Sequence, residues 1–297
     1  MNPAVSVIVP TVGRASLRRA VESALRQTYP VTEVLVVAAE GLAVDLPADT
    51  RITLVRTADR LRPGAARQAG IVAARGTVIA LLDDDDEWRP EKLRCQLEAV
   101  RSQNPESEAG RDWICSSRVE VSGPGSLRWV WPRRLIAPRE SVARYLFRFT
   151  SLRVGGAVLQ TSTLCFPTEL ARLVGWDADT VHDEPTWLLA VQRARPQVRV
   201  IQVPQVLGTY HVGGESVSRA SVDRVDDYIA WGLEYLRAES PRIRGDYLCT
   251  SPVSAAVAAG SAAGAGRALR AALRHGRPGP FALAYAVLNG VRILLRR

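Results

Sequence analysis

The stretch Thr77-Val78-Ile79-Ala80-Leu81-Leu82-Asp83-Asp84-Asp85-Asp86 decides the fold class. Its six apolar or β-branched residues predict a buried strand that runs directly into four aspartates. If the strand geometry continues, Asp83 and Asp85 point to one side, about 7 Å apart, where they repel by about 2 kcal/mol at an effective dielectric near 20. Solvent, arginines or a divalent cation must offset this repulsion. The run therefore predicts either an acidic surface turn or a site for Mn²⁺ or Mg²⁺.

Strand and helix patterns alternate on the N-terminal side of this stretch. Three further strands are predicted at 5–9, 33–37 and 51–55, and helices are predicted to begin near Ser16 and Pro63. Strands that alternate with helices favour an α/β fold, a mostly parallel sheet covered by helices on both faces. In such sheets ligands bind outside the carboxyl ends of the strands, which is where the four aspartates lie.

Composition excludes several classes of protein. The 297 residues are 47% apolar and 23% charged, as in a globular protein rather than a disordered or fibrous one. Four widely spaced cysteines and three histidines argue against a disulfide scaffold or a zinc site. The N-terminus does not resemble a signal peptide, and no apolar run is long enough to span a bilayer, so a soluble cytoplasmic protein is expected. There is neither a P-loop nor a Gly-x-Gly-x-x-Gly after the first strand.

The positive charge is concentrated near the C-terminus. The chain has 39 basic and 30 acidic residues, and no acidic residue follows Asp246. The segment 281–297 mixes apolar residues with Arg292, Arg296 and Arg297. As a helix it could lie on the inner face of a membrane as a peripheral contact, pack on the rest of the chain, or form a homodimer. A basic protein that binds a membrane or nucleic-acid surface is thus one alternative, although nucleic acid is not the expected partner.

Four segments in order resemble family 2 glycosyltransferases of the GT-A fold. The matching segments are Val7-Ile8-Val9-Pro10-Thr11, Ser23-Ala24-Leu25-Arg26-Gln27-Thr28-Tyr29-Pro30, Gly64-Ala65-Ala66-Arg67-Gln68-Ala69-Gly70-Ile71 and Leu82-Asp83-Asp84-Asp85-Asp86-Glu87-Trp88. The resemblance implies an inverting enzyme that uses a nucleotide sugar with Mn²⁺ or Mg²⁺. A nucleotidyltransferase is the second enzymatic alternative, because it also needs paired carboxylates and a metal, but Gly13-Arg14 is too short for its phosphate loop.

The resemblance also implies roles for individual residues on the donor side. Asp83 and Asp85 form the family's Asp-x-Asp motif, with Asp83 near the ribose and Asp85 on the metal. Asp86 is assigned to holding the loop. The remaining donor-binding set comprises Pro10, Thr11, Glu40, Arg67, Asp84 and Arg219. Arg67 could equally form a structural salt bridge, and Glu40 stands beside the place where the family has a base-reading Asp pair.

The acceptor side matches the family more weakly, through Gly175-Trp176-Asp177 and His182-Asp183-Glu184-Pro185-Thr186-Trp187-Leu188. The resemblance makes Asp183 the catalytic base, a carboxylate that accepts the proton of the acceptor hydroxyl. Glu184 is the rival, and Asp183 could also cap the helix that follows. His211 is assigned to the metal, with a structural role as the alternative.

The resemblance implies the following domain organisation and partners. A GT-A catalytic domain covers 1–221, with a nucleotide-sugar half at 1–103 and an acceptor half at 104–221. A helical, arginine-rich region follows at 222–297. UDP- or dTDP-sugars are the expected donors, and a glycan, a lipid-linked molecule or a small molecule is the expected acceptor.

Overall fold

The computed structural model describes residues 3–103, 112–123, 127–152, 155–176, 180–212 and 223–295. The strands are β1 (Val5–Pro10), β2 (Glu33–Ala39), β3 (Ile52–Thr57), β4 (Val78–Leu81), β5 (Glu87–Trp88), β6 (Trp113–Ser122), β7 (Arg128–Trp131), β8 (Cys165–Pro167) and β9 (Arg199–His211). The helices are α1 (Leu17–Leu25), α2 (Pro63–Ala73), α3 (Lys92–Gln103), α4 (Val142–Phe147), α5 (Thr168–Leu173), α6 (Asp183–Ala194), α7 (Val225–Tyr235), α8 (Pro241–Ala258), α9 (Ala262–His275) and α10 (Pro280–Leu295). A 3₁₀ turn covers Thr161–Thr163.

The described strands form one sheet in the order β3-β2-β1-β4-β8-β6-β9-β5, with β7 paired to β6. Strands β3, β2, β1 and β4 are parallel, as predicted. Beyond β4 the sheet becomes mixed, because β8 runs antiparallel to both β4 and β6, while β9 runs parallel to β6. The α/β fold class is confirmed, and the antiparallel strands β7 and β8 belong to the half in which sequence periodicity is weakest, while the short β5 pairs antiparallel to β9.

The parallel strands form the core because their side chains are apolar on both faces. All four residues of β4 are buried, and so are the first five residues of β1. Parallel strands covered on both faces read as continuous apolar runs, which is why these strands could be located in the sequence. Close packing against helix α2 requires glycine at position 70, where a Cβ would lie 2.5 Å from Ile8.

The chain divides into two compact units. The first comprises Met1–Arg139 and Ala157–Gly213, and the second comprises Glu140–Gly156 and Gly214–Arg297. The first unit contains the sheet described above. The second unit includes a segment, Glu140–Gly156, that the sequence analysis places in the acceptor half.

Asp246 organises the second unit from its interior. This fully buried carboxylate accepts hydrogen bonds from the Phe149 and Gly279 backbone N–H groups at 3.1 and 2.6 Å and pairs with Arg148 at 2.8 Å. It therefore ties the segment after α4 to helix α8 and to the turn before α10. A cluster of Phe147, Trp231 and Tyr247, with ring centroids 5.1–5.5 Å apart, fills the core beside it.

No helix in the described ranges is both long enough and apolar enough to cross a membrane.

Glu33 is a buried polar anchor at the start of β2. Its side chain accepts hydrogen bonds from Ser6 Oγ at 2.6 Å and from the Arg75 N–H at 2.7 Å, and the Arg75 guanidinium lies 2.9 Å away. Ser6 Oγ in turn accepts from the Gly76 N–H at 2.8 Å. Burial raises the pKa of Glu33, but the bonds from Ser6 and Arg75 outweigh burial and hold the pKa below its ordinary value. One carboxylate thus joins β1, β2 and the turn that leads into β4.

We predict that Glu33→Gln destabilises the protein by about 1–2 kcal/mol at pH 7, because an uncharged amide is the weaker acceptor. Because the folded pKa lies below the unfolded value, the contribution of Glu33 is complete above about pH 4.5 and is lost as pH falls through the folded pKa. Denaturant unfolding of both proteins at pH 7 and at about pH 3.5 measures this. The exposed Glu98→Gln is the control. A difference between wild type and Glu33→Gln that stays constant with pH would contradict the assignment.

Candidate functional site

A pocket opens at the carboxyl edge of the parallel strands. Its walls come from the ends of β1, β2 and β3 and from the start of α2, and they include Thr11, Ala38, Thr57, Arg60 and Ala66. This is the edge where ligands bind in open α/β sheets. Apolar walls with two hydroxyl groups and one arginine suit a flat ring that carries a few polar atoms.

The predicted base-side residues border this pocket to different extents. Thr11 lines it directly, and Pro10 is the last residue of β1 beside it. Glu40 is exposed just beyond β2, and its backbone N–H donates to the Thr57 carbonyl at 2.8 Å. The pocket is lined by Ala39, the last residue of β2, and by Leu42, on either side of Glu40.

The four aspartates after β4 alternate between buried and accessible. Asp84 and Asp86 are each 1% exposed, whereas the side chains of Asp83 and Asp85 are 26% and 38% exposed. The alternation survives although the backbone turns here, with the Asp86 N–H donating to the Asp83 carbonyl at 3.1 Å. The expectation that Asp83 and Asp85 share a side agrees with this pattern.

Asp84 is held from the β1 side. It accepts a hydrogen bond from Thr11 Oγ1 at 2.6 Å and one from the Val12 N–H at 3.3 Å, and it forms a short ion pair with Arg14. The Arg14 guanidinium also lies 3.7 Å from Asp85. Arg14 follows Gly13, whose φ of +84° lies in the left-handed region that glycine tolerates. The turn after β1 therefore brings a cation to the acidic run.

Asp86 is held from the other side, by groups distant in sequence. Its carboxylate accepts from Gln160 Nε2 at 2.7 Å, Ser162 Oγ at 2.6 Å and the His211 N–H at 3.2 Å. Ser162 Oγ also accepts from the Asp83 N–H at 3.0 Å. Burial, and next to it the charge of Asp83, raise the pKa of Asp86 well above its ordinary value. These contacts fix the Asp86 side chain within the loop after β4, and its loop-holding role stays a prediction.

His211 reaches the acidic run through its backbone. Its ring Nε2 lies 3.1 Å from Glu87 Oε1, and Glu87 also pairs with Arg19 at 2.9 Å. Before the His211 ring could bind a metal through Nε2, it would have to break its contact with Glu87. Arg219, the other predicted residue of this loop, lies outside the described residues.

Arg67 connects the two halves of the site. It is 5% exposed, and its guanidinium lies 2.7 Å from Asp83 and 3.8 Å from Asp183. Burial alone would lower the pKa of Arg67, but Asp83, Glu184 and Asp183 together raise it, so the cation is secure. Arg67 therefore forms the structural salt bridge considered from the sequence. Its buried Nε–H group is a further hydrogen-bond donor that has no partner among the described residues.

Asp183 is the first residue of α6, so the cap position before the helix belongs to His182. The Asp183 side chain is 20% exposed. Neighbouring Glu184 accepts a short hydrogen bond from Thr161 Oγ1. Burial raises the pKa of Glu184, and the positive charge of Arg67 only partly opposes the rise. The two adjacent carboxyl groups thus occupy different environments.

The accessible aspartates suit a hard cation. Burial and the charge of Asp83 raise the pKa of Asp85 despite Arg14, so a cation at Asp85 would relieve repulsion. In the described ranges, no three His, Cys, Asp or Glu side chains form a ready metal cluster. Mg²⁺ and Mn²⁺ sites often use one or two carboxylates and take the remaining oxygens from substrate phosphates. The donor set therefore fits such an ion when it arrives together with a phosphorylated substrate.

Several residues of this site were not singled out from the sequence, among them Arg14, Ser162, Gln160, Thr57 and Arg60. Their only sequence signal is position: Arg14 and Thr57 lie at or just after strand ends, where ligands are expected. Ser162 and Gln160 precede β8 in the less regular half of the chain. No sequence pattern pairs Ser162 and Gln160 with Asp86, which lies 76 and 74 positions away from them.

The comparisons with known proteins agree with this geometry. The model of the family described as "Glycosyl transferase family 2" matches residues 6–122. That segment includes the parallel strands and the four aspartates.

Three relatives with known names are similar to the chain. The amylovoran biosynthesis glycosyltransferase AmsB of Erwinia amylovora is 25% identical over 80% of this chain and 78% of its own length. The succinoglycan biosynthesis protein ExoO of Rhizobium meliloti is 42% identical over 32% of this chain and 29% of its own. The putative colanic acid biosynthesis glycosyl transferase WcaA of Escherichia coli is 32% identical over 49% of this chain and 57% of its own. The chain thus covers less than two thirds of the last two relatives.

Solved structures show the same fold. Residues 1–349 of S. aureus TarS match with a TM-score of 0.54 at 14% identity, over 98% of this chain and 88% of that one. The complex of the same protein with UDP-GlcNAc also gives 0.54, at 13% identity, over 98% and 89%.

These findings confirm the GT-A fold with its helical C-terminal region. They also confirm the prediction of a glycosyltransferase. Residues 6–122 match the model of family 2, and the chain is similar in sequence to named glycosyltransferases and in fold to TarS.

Proposed function

We propose that the enzyme transfers a sugar from a nucleoside diphosphate to an acceptor hydroxyl with inversion at the anomeric carbon. The observation that carries the proposal is the position of Arg67. It contacts Asp83 at the end of β4 and Asp183 at the start of α6, so a donor-side carboxylate and a candidate base flank one guanidinium. Direct displacement needs this arrangement, a leaving group held on one side and a proton acceptor nearby.

The pocket at the ends of β1, β2 and β3 is assigned to the base and ribose of the donor. Thr11 and Thr57 offer hydroxyl groups to it, and Ala38 and Ala66 offer apolar contact. A UDP-sugar is our first candidate donor, supported by the UDP-GlcNAc complex of the structurally similar TarS. A dTDP-sugar is the second. Glu40, Pro10 and Thr11 stay in the proposed donor-binding set, as does Arg219.

Asp85 is assigned to the metal, with Asp83 beside the ribose and Asp84 holding the turn. A bound Mn²⁺ or Mg²⁺ would neutralise the charge that develops on the departing diphosphate. Arg14 pairs with Asp84 and holds it in place, and Asp86 fixes the loop through its bond from Ser162. The proposed role of His211 as a further ligand requires its ring to leave Glu87.

Asp183 is assigned as the base that accepts the proton of the acceptor hydroxyl. It stands at the N-terminus of α6, where the helix dipole favours a carboxylate, and Arg67 orients it. Glu184 is engaged by Thr161 and its pKa is raised, so it is a poorer candidate for an ionised base. Two adjacent carboxyl groups with separated environments can take separate roles.

The acceptor is proposed to be a growing glycan. The named relatives act in amylovoran, succinoglycan and colanic acid biosynthesis, which supports a role in making a cell-surface polysaccharide. A lipid-linked or small-molecule acceptor, the donor sugar and a cytoplasmic location stay predictions.

We predict that Asp183→Asn lowers sugar transfer by roughly 100-fold or more, because an amide cannot accept the proton. Release of nucleoside diphosphate, screened over UDP- and dTDP-sugars with Mn²⁺, measures the rate even before the acceptor is known. The affinity for UDP, measured calorimetrically, should stay within about twofold, since Asp183 is not in the donor set. Glu184→Gln is the matched variant. If Glu184→Gln abolishes turnover while Asp183→Asn retains it, the base is Glu184.

We predict that Asp85→Asn weakens Mn²⁺-dependent binding of UDP by roughly tenfold, because the substituted amide has no charge to offer the ion. Binding of UDP without Mn²⁺ should change little. Titration calorimetry with and without Mn²⁺ separates the two effects. Asp45→Asn, which removes an exposed carboxylate paired with Arg18, is the control. Unchanged Mn²⁺ dependence in Asp85→Asn would remove this residue from the metal site.

We predict that Ser162→Ala lowers stability by about 1–3 kcal/mol and also weakens Mn²⁺-dependent UDP binding, because it leaves both Asp86 and the Asp83 N–H without their shared partner. Ser116→Ala is the control, since its buried hydroxyl contacts Thr163 Oγ1 at 2.7 Å without touching the acidic run. Ser116→Ala should lose stability only. Equal UDP affinities for the two variants would show that Ser162 does not position the aspartates.

A further inference from the structure

Helix α10 has two faces of unlike exposure. Ala282, Ala286 and Ile293 are buried. The large apolar side chains on its other side are between 46% and 81% exposed, and they are Phe281, Val287, Leu288, Val291, Leu294 and Leu295. Residues three, four and seven apart share one side of a helix, so these six side chains form a continuous apolar stripe. We call it the α10 stripe.

The surroundings of the α10 stripe are positively charged. Seven of the 39 basic residues and none of the 30 acidic residues follow Asp246, so the last 51 residues carry seven of the nine net positive charges. Arg292 is exposed on α10 itself. Helix α9 packs against α10 and exposes Arg270 and Arg274, together with Leu273. An apolar surface is thus combined with charge of a single sign.

We propose that the α10 stripe binds the surface of an anionic membrane, with the helix lying in the plane of the lipid headgroups. Its buried face is already occupied by the protein, so only the apolar stripe is open to the acyl chains. Arginines beside an interfacial helix gain from the negative potential of anionic lipids. Apolar burial and charge attraction then act on the same segment.

The charges around the α10 stripe disfavour a second copy of the chain as its binding partner, and the apolar side chains disfavour nucleic acid. In a two-fold contact between two copies, each copy presents the same patch to the other, so Arg292 and its neighbours would face one another. Residues 247–297 contain no carboxylate side chain to pair with them. Nucleic acid would satisfy the arginines, but its charged backbone would gain nothing from the six apolar side chains. A lipid surface satisfies both features.

Vesicle co-sedimentation of the full chain tests the proposal. We expect roughly tenfold stronger binding to phosphatidylcholine vesicles with about 30% phosphatidylglycerol than to phosphatidylcholine alone. The double variant Leu288→Gln/Val291→Gln should lower binding to the anionic vesicles by roughly tenfold, because both side chains would lose their burial. Val72→Gln is the matched control, since Val72 is an equally exposed apolar residue on α2, and it should bind like wild type. Thermal unfolding confirms that each variant folds.

The contribution of charge is tested separately. Arg270→Gln/Arg274→Gln should weaken binding to the anionic vesicles severalfold, and binding to phosphatidylcholine should not change. Equal vesicle binding by wild type and Leu288→Gln/Val291→Gln, or no vesicle binding at all, overturns the proposal. So does a dimer in sedimentation velocity that dissociates in that variant while vesicles stay unbound. Binding to duplex DNA that the apolar substitutions leave unchanged, without vesicle binding, overturns it as well.

Discussion

Six carboxyl groups converge at one edge of the sheet, and two arginines make this possible. Arg14 pairs with Asp84 and approaches Asp85, while Arg67 lies between Asp83 and Asp183. Without these cations, the repulsion among Asp83–Asp86, Asp183 and Glu184 would oppose folding of the loop after β4. The compensation is incomplete, because the pKa values of Asp85, Asp86 and Glu184 are still raised, first by burial. Additional positive charge would therefore stabilise the ionised carboxyl groups of the folded site.

The four aspartates alternate between buried and accessible side chains, and the two pairs have different surroundings. Asp84 and Asp86 point inward and bind protein donors from two sides, β1 for Asp84 and the 3₁₀ turn for Asp86. Asp83 and Asp85 stay accessible to solvent. Were all four side chains equally exposed, the loop would have no buried anchor, and were all four buried, no carboxylate would be open to substrate. The buried contacts of Asp84 and Asp86 therefore fix the positions of Asp83 and Asp85.

The sequence predicted the parallel half of the sheet well because its information there is local. Strands buried on both faces leave continuous apolar runs, and Pro63 opens α2 where expected. It also predicted that Asp83 and Asp85 share a side. The contacts Asp86–Ser162 and Arg67–Asp183 join residues 76 and 116 positions apart, and no periodicity encodes them. The reversed direction of β8 in the mixed half of the sheet was not predicted, for the same reason. Arg14 was considered only as part of a loop too short for a nucleotidyltransferase, and its ion pair with Asp84 was not predicted.

The 3₁₀ turn shows why the second half of the catalytic unit cannot be treated as an independent acceptor module. Each of its three hydroxyl residues has its own partners: Thr161 donates to Glu184, Ser162 donates to Asp86 and accepts from the Asp83 N–H, and Thr163 contacts Ser116. A shift of this turn would disturb the loop after β4 and the start of α6 together. The aspartates after β4 and the carboxylates of α6 are therefore connected through the turn as well as through Arg67. A substitution in 161–163 that altered only one of these two sides would argue against such coupling.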